Sequence, residues 1–239
     1  MKFNVSSKAL YSATSAVSKV INSKNALSIL DNFHIKIEGN TLTITGSDQE
    51  NALTARLEVT GIKGEGSFCL GARRLVELLK ELPDQGMEVK INEETLEVQL
   101  SYSSGHYSFV GIPGDQYPQF QADTRTEPIV FSIATEQMIA GLDNTMFAVS
   151  NDEYRQIMQG VLMDVNPDSI TFVATDTRKL VRYIDRRTAP GVKGACVIPS
   201  KPSNVIKTVF AKEETLNITM NASNAVIESK NFTFQCTFL

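Results

Sequence analysis

An α+β fold built from two copies of one domain, each with antiparallel sheets and two helices on one side, is what this sequence predicts. Three observations carry that reading. First, landmarks of the first half recur in the second at one offset. Asp48 closes LTITGSD and Asp176 closes ITFVATD, Gly66 opens GSFCLGARRLVELLK and Gly194 opens GACVIPSKPSNVIKTV, and Phe3 of MKFNV answers Phe131 of IVFSI, each pair lying 128 positions apart. Second, the length of the repeat makes it a whole domain, because solenoid units run to about 20–50 residues. Third, each half runs strand, helix, three strands, and then the same again, a duplication within the duplication.

In the first half, residues 2–5 alternate as a short strand, and Ser6 or Ser7 is placed to cap a helix. Leu10, Ala13, Val17, Val20 and Ile21 follow at helical spacing as its apolar face, while Lys8, Ser12, Ser15 and Lys19 form a polar stripe free of acid. FHIKI (33–37), TLTIT (41–45) and ALTARLEV (52–59) alternate as strands between Gly, Asn and Ser turn signals. GSFCL is a further strand. Ala72 to Leu82 reads as a helix with Leu75, Val76, Leu79 and Leu82 in the core, stopped by Pro83. Strands are expected at 87–91, 95–100 and 106–112.

Residues 113–128, with prolines at 113, 118 and 128, lose periodicity and fit an extended connector. The expected domains are therefore 1–120 and 128–239. The second unit starts over with the strand IVFSI and a helix capped by Thr135 that carries Met138, Ile139, Leu142 and Met146. Strands GVLMDV, SITFVAT, LVRYI and GACVI come next. A helix then begins at Lys201-Pro202, proline being tolerated in a first turn. LNITM, AVIES and FTFQCTFL complete the unit.

With 42% hydrophobic and 21% charged residues the composition is that of an ordinary globular protein. Cys69, Cys196 and Cys236 are odd in number and form no CxxC, which reads as buried thiols in a reducing compartment. MKFNVSSKAL lacks the apolar stretch of a signal peptide, and no run approaches the ~18 apolar residues of a membrane span. An intracellular, cytoplasmic location is expected. The net charge of −4 argues against a basic coat, but the first thirty residues hold Lys2, Lys8, Lys19 and Lys24 with no acid before Asp31. A locally basic element on an acidic protein suits a polyanion on one face.

Catalysis has little to build on. His34 sits in an alternating strand and His106 beside Gly105 at a turn, neither in a metal or nucleophile spacing, and no P-loop, GxGxxG or HExxH is present. Asp48 and Asp176 invite a paired-carboxylate enzyme, the rival reading from another class. The duplication instead places them in equivalent spots of separate domains, each bonding backbone groups of the turn after its strand. No catalytic residue, metal ligand or cofactor is assigned. What remains is binding. The helices carry Lys8, Lys19, Arg73, Arg74, Lys80, Lys201 and Lys207, which suit loose, sequence-blind contact with duplex phosphates, tempered by Glu77, Glu81, Glu136 and Asp143 on the same helices.

These segments resemble, in order and over the whole chain, the landmarks of the beta sliding clamp of bacterial DNA polymerase III. The matching residues are MKFNV with its Leu10 helix, NALSIL, ITGSD, GARRLVELLKELP, IPGDQYPQF and VATDTRKLVRY. The resemblance implies the DNA-clamp fold: six similar domains in a ring around duplex DNA, sheets outward and helices lining the hole. It implies a non-catalytic processivity factor that tethers the polymerase III alpha subunit, is opened by a clamp loader, and receives other polymerases and repair proteins through short clamp-binding peptides. Family members make the ring from two three-domain chains, so a third domain is expected beyond Leu239. The alternative is a two-domain clamp closing as a trimer, and a β-rich protein-interaction module without nucleic acid is the more distant one.

Carried over by position, Lys24 and Arg73 fall on DNA-contacting basic positions. Asp152, Gln156 and Ile157, around the loop Asn151-Asp152-Glu153-Tyr154, fall where the family often has amide and tyrosine contacts. The partner-peptide pocket maps to Arg155, Met158, Thr175, Thr177, Arg178, Lys179 and Leu180. The family commonly has Gly-His-Arg where this chain has Thr177-Arg178-Lys179. Met158 and Leu180 are the expected apolar walls. Arg74, Tyr107 and Phe109 match the subunit-interface edge.

Overall fold

The computed structural model describes residues 1–120 and 127–239. The chain divides into two compact units, Met1–Phe120 and Gln121–Leu239. In the first unit the elements are β1 (Lys2–Ser6), α1 (Ser7–Val17), β2 (Asn32–Glu38), β3 (Thr41–Ser47), β4 (Asn51–Glu58), β5 (Thr60–Lys63), β6 (Gly66–Gly71), α2 (Ala72–Glu81), β7 (Gly86–Ile91), β8 (Glu97–Tyr102), β9 (Gly105–Val110) and β10 (Ile112–Pro113). The second unit contains β11 (Ile129–Ala134), α3 (Thr135–Asp143), β12 (Gly160–Asn166), β13 (Ser169–Thr175), β14 (Leu180–Asp185), β15 (Gly194–Pro199), α4 (Ser200–Val209), β16 (Thr215–Met220), β17 (Asn224–Glu228) and β18 (Phe232–Thr237).

The repeat is visible in the boundaries. β2, β3, β6 and α2 reappear 128 residues on as β12, β13, β15 and α4 with the same first and last positions. Each unit also exchanges strands between its own halves. The opening strand β1 joins β7-β8-β9, while β6 joins β2-β3-β4; in the second unit β11 joins β16-β17-β18, while β15 joins β12-β13-β14. All of these pairings are antiparallel. Both helices of a unit pack on each other and on the sheet of the first three-strand run, α1 on β3 and β4, α2 on β2 and β6, α3 on β13 and β14, α4 on β12 and β15.

Alternation explains the core. Leu10, Ala13 and Val17 are buried under α1 as their spacing predicts, and Leu75 and Leu79 under α2; the helix ends at Val17, so Val20 is buried from the turn that follows it and Ile21 is half-buried beyond that turn. Phe3 and Val89 of one sheet meet Ile35, Leu42 and Phe68 of the other around Leu10 and Leu75. In the second unit Phe131, Ile133, Met138, Phe172, Ile198, Ile206, Ile218 and Phe234 are buried in the same way. Each such side chain contributes about 1.5–3 kcal/mol of transfer free energy. Cys69, Cys196 and Cys236 are free and buried.

Several expectations need correction. Ser6 caps α1 by accepting from Ala9 N at 3.3 Å, but Thr135 does not cap α3: it is the first helical residue, and its buried Oγ1 has no hydrogen-bond partner. β5 was not anticipated, because Gly61 and Gly64 (φ 63° and 80°) read as a turn. The strand expected from 95 starts at Glu97, since Leu96 takes a positive φ of 56°. The connector expected from 113 is anchored at its start. Pro113 pairs with Phe68, and Tyr117 is buried with its ring stacked on His34 at 5.3 Å. Gly114 is required there, because a Cβ would lie 2.6 Å from the Ser67 carbonyl carbon. Positions 121–126 of that connector lie outside the described residues.

Candidate nucleic-acid interface

The acid-free stripe expected on α1 is a real surface, although the helix ends at Val17 and Lys19 stands in the turn after it. Lys8, Ser12 and Lys19 are exposed, Ser15 is half-buried, and none of the three lysines Lys8, Lys19 and Lys24 forms an ion pair among the described residues. Lys24 stands on the loop after α1. Asn25 braces that loop, donating to Asn22 O (3.1 Å) and Asp31 Oδ1 (2.7 Å). On α2, Arg73, Arg74 and Lys80 are exposed. Arg73 differs from the others because its Nε donates to Glu77 Oε1 at 2.9 Å one turn on, which raises its pKa further above the ordinary arginine value. Exposed helix pairs of this kind are weak and screened by salt, so Arg73 remains available to a phosphate.

The helices of the second unit are different. Glu136 and Asp143 are exposed on α3, and Lys207 of α4 is paired to Asp143. Exposed lysines therefore stand on α1 and the segment after it (Lys8, Lys19 and Lys24), while on α2 the exposed Arg73, Arg74 and Lys80 are set beside the exposed Glu77 and Glu81. Sequence reading counted Lys207 as a contact and missed its partner, although Asp143 on the neighbouring helix was the available signal.

The loop from Val149 to Gln159 is closed by Ser150 N donating to Met158 O at 2.8 Å. Asp152 is engaged inside it: Oδ1 accepts from Tyr154 N (3.0 Å) and Oδ2 lies 3.5 Å from Arg155 Nε. Gln156 and Ile157 begin a 3-10 turn, Gln156–Met158, that leaves them exposed, Ile157 by 57%. Tyr154 is 99% exposed and Phe147 64%. Phe147 was not singled out in the sequence; it lies past the end of α3, in a 3-10 turn over Met146–Ala148.

Of the expected pocket residues, Thr175, Thr177, Arg178, Lys179 and Leu180 share the turn between β13 and β14. Thr175 Oγ1 donates to Lys179 O (2.8 Å) and accepts from Thr177 N (3.1 Å). Asp176 Oδ1 accepts from Arg178 N (3.0 Å) and Lys179 N (2.9 Å), and Oδ2 from Lys179 Nζ (2.7 Å). The Lys179 side chain, then the two backbone donors, hold the Asp176 carboxyl far below the usual carboxylate range. Thr177 has φ 75°. Leu180 is 66% exposed, which excludes plain core packing for it, and Met158 is half-buried. Arg74 is exposed on α2, while Tyr107 and Phe109 share one face of β9 with ring centroids 4.9 Å apart; Tyr107 is 45% exposed and Phe109 is buried.

Among the described residues no cluster of His, Cys, Asp and Glu is arranged to hold a metal ion, and no helix is long and apolar enough to cross a membrane. His34 has its pKa lowered by burial and then by Lys36.

Comparison with known proteins places the fold. A beta sliding clamp of Vibrio cholerae is 24% identical over 235 residues, covering 98% of this chain and 63% of that protein. One from Pseudomonas aeruginosa is 28% identical over 203 residues, covering 84% of this chain and 54% of that protein. The chain thus spans less than two-thirds of these relatives. The crystal structure of the beta subunit from the DNA polymerase of Streptococcus pyogenes superposes with a TM-score of 0.91 at 24% identity, covering 100% of this chain and 64% of that one. The family profile for the DNA polymerase III beta subunit N-terminal domain matches residues 1–121, and that for its central domain residues 132–239. The chain therefore belongs to the DNA polymerase III beta subunit family and carries the N-terminal and central domains of that family.

Proposed function

We propose that this chain is the DNA-holding part of a sliding clamp, a non-catalytic processivity factor of DNA replication in the cytoplasm. The observation that carries the reading is the acid-free stripe of Lys8, Ser12 and Ser15 on α1, continued by Lys19 in the turn after the helix, with Lys24 beyond it and α2 beside it. Mobile cations and short hydroxyls meet a phosphate backbone without base readout, so the contact carries no sequence preference and permits sliding.

Lys24 and Arg73 are the first contacts to test. Asp152, Gln156 and Ile157 lie at a second contact where the acid opposes the phosphate charge. Arg155, Met158, Thr175, Thr177, Arg178, Lys179 and Leu180 form the seat for the short peptides of the polymerase alpha subunit, the clamp loader and repair proteins. The exposed Leu180 and adaptable Met158 serve as its apolar anchors. Arg74, Tyr107 and Phe109 mark the edge through which domains join into a ring.

The test is retention on DNA by topology. Assembled on a nicked circular plasmid with a clamp loader, the protein is expected to survive a high-salt wash on the circle and to be lost once the plasmid is cut. Equal retention on circular and linear DNA would refute encirclement.

A further inference from the structure

The repeat lets the two units be compared residue by residue. α1 begins at Ser7 and α3 at Thr135, α2 at Ala72 and α4 at Ser200, so the helices keep the 128-residue offset of the strands. The stripe Lys8, Ser12, Ser15 and Lys19 therefore has its counterpart in Glu136, Ala140, Asp143 and Phe147. Two lysines without an acid are answered by two acids without a lysine. Lys8 and Lys19 are exposed, and so are Phe147 and Glu136, whose side chain is 87% accessible. Of the cations Arg73, Arg74 and Lys80 on α2, only Arg73 is answered by a cation, Lys201; the other two are answered by Pro202 and Thr208.

Packing accounts for one of the two acids. Asp143 pairs with Lys207, and that pair stands where the first unit has Ser15 and the buried Leu79. A half-buried ammonium in the place of a leucine calls for an acid. Glu136 has no such task. It lies in the first turn of α3, its Oε1 is 3.7 Å from Arg187 Nη1, and Arg187 is already held by Asp185 through Nε at 2.8 Å. An acid in a first turn suits the helix dipole. Yet α1 forms with Lys8 at the equivalent position and no acid in its first turn. The fold thus accepts either sign of charge there.

Resting on the clamp reading, we propose that α3 turns to the duplex the face that α1 turns to it, and that Glu136, with Asp143 two turns on, repels the phosphates there. The first unit supplies the grip and the second limits it. The repulsion acts within a Debye length, about 10 Å at 0.1 M salt. A protein held on DNA by encirclement loses nothing through weak contact, and a repelling wall keeps the duplex from settling at one position.

The experiment is the affinity of the 239-residue chain for a short labelled linear duplex, by fluorescence anisotropy, so that topology plays no part. Glu136→Lys, which gives position 136 the residue type of Lys8, is expected to bind more tightly than the parent at low salt. Between about 50 and 200 mM salt it should lose about 3.5-fold more affinity than the parent, the loss that one added phosphate contact brings. Glu136→Gln is expected to bind more tightly at low salt and to converge on the parent as screening removes the repulsion. Glu94→Lys makes the same charge change in the turn between β7 and β8, outside both stripes, and is expected to stay near the parent. A Glu136→Lys affinity equal to that of Glu94→Lys, or a Glu136→Gln affinity no higher than the parent's, would overturn the repulsion. Lys8→Gln/Lys19→Gln separates this outcome from the clamp reading. If that variant binds more weakly while position 136 has no influence, the inference falls and DNA holding by α1 stands. If the parent and every variant fail to bind duplex at low salt, the DNA contact itself is refuted.

Discussion

Asp48 and Asp176 hold equivalent turns with the same atom. Asp48 Oδ1 accepts from Glu50 N (3.1 Å) and Asn51 N (2.7 Å), and Asp176 Oδ1 accepts from Arg178 N (3.0 Å) and Lys179 N (2.9 Å). The hydroxyl one residue earlier also repeats, Ser47 Oγ accepting from Gln49 N at 3.2 Å and Thr175 Oγ1 from Thr177 N at 3.1 Å. Each carboxylate thus braces the turn that follows a strand of its own unit. Replacing Asp48 by Ala is expected to cost about 1–3 kcal/mol, the value of hydrogen bonds to a charged acceptor. The Asp176→Ala change should lower the unfolding midpoint in the same direction. Urea denaturation checks both; unchanged midpoints would show that the turns hold without their carboxylates.

Gln49 and Thr177 complete the repeat with φ 83° and 75°. A left-handed conformation costs an L residue about 1–2 kcal/mol, and a β-branched side chain suffers most. Glycine gives back part of that gain through the entropy of the unfolded chain. Thr177→Gly is therefore expected to stabilise by roughly 0.5–1 kcal/mol, measured as a higher urea midpoint. A loss of stability would mean that the Thr177 side chain makes a compensating contact.

Glycine at position 141 interrupts α3, where alanine would ordinarily gain about 1 kcal/mol. Space decides against alanine here. A Cβ would lie 2.3 Å from Cδ2 and Cε2 of Phe172, whose ring is fully buried. Overpacking costs about 1–3 kcal/mol, so Gly141→Ala is expected to destabilise on balance. The pair Gly141→Ala with Phe172→Leu should recover much of the loss in a double-mutant cycle.

Asp185 links stability to pH. Burial pushes its carboxyl up, but donation from Arg187 Nε (2.8 Å) and the Thr188 hydroxyl (2.9 Å) outweighs this, and the net shift is downward. A depressed folded pKa adds stability that is complete above the unfolded carboxylate value of about 3.9 and is lost as pH falls through the folded one. Stability is expected to decline below about pH 5 and to keep falling in stronger acid. Asp185→Asn should be less stable at neutral pH and show a flatter acid limb. Parallel limbs for the two proteins would remove Asp185 from the linkage.

Much of the fold was legible because repetition and periodicity report the same physics twice. The offset between Asp48 and Asp176 places β2, β3, β6 and α2 on their partners, since a strand that must bury alternate residues against one face cannot slip by one. Local backbone choices were not legible. Leu96 and Thr177 give no compositional sign of positive φ, and Thr135 looks like a cap although Ala134 occupies that place. In the candidate site, Lys8 and Lys19 were readable as members of an exposed polar stripe, whereas Leu180 was singled out only through the family resemblance. The capture of Lys207 by Asp143 depends on the packing of α3 against α4, which no single helix pattern contains.

The central claim is that duplex DNA lies against α1, and photo-cross-linking tests it most directly. A cross-linking residue is placed at Ser12, between Lys8 and Lys19, and in a second protein at Lys90, an exposed lysine on β7. Capture of labelled duplex from Ser12, fading as salt rises, with little from Lys90, is the expected result. Capture from Lys90 and none from Ser12 would place DNA away from α1 and contradict the account.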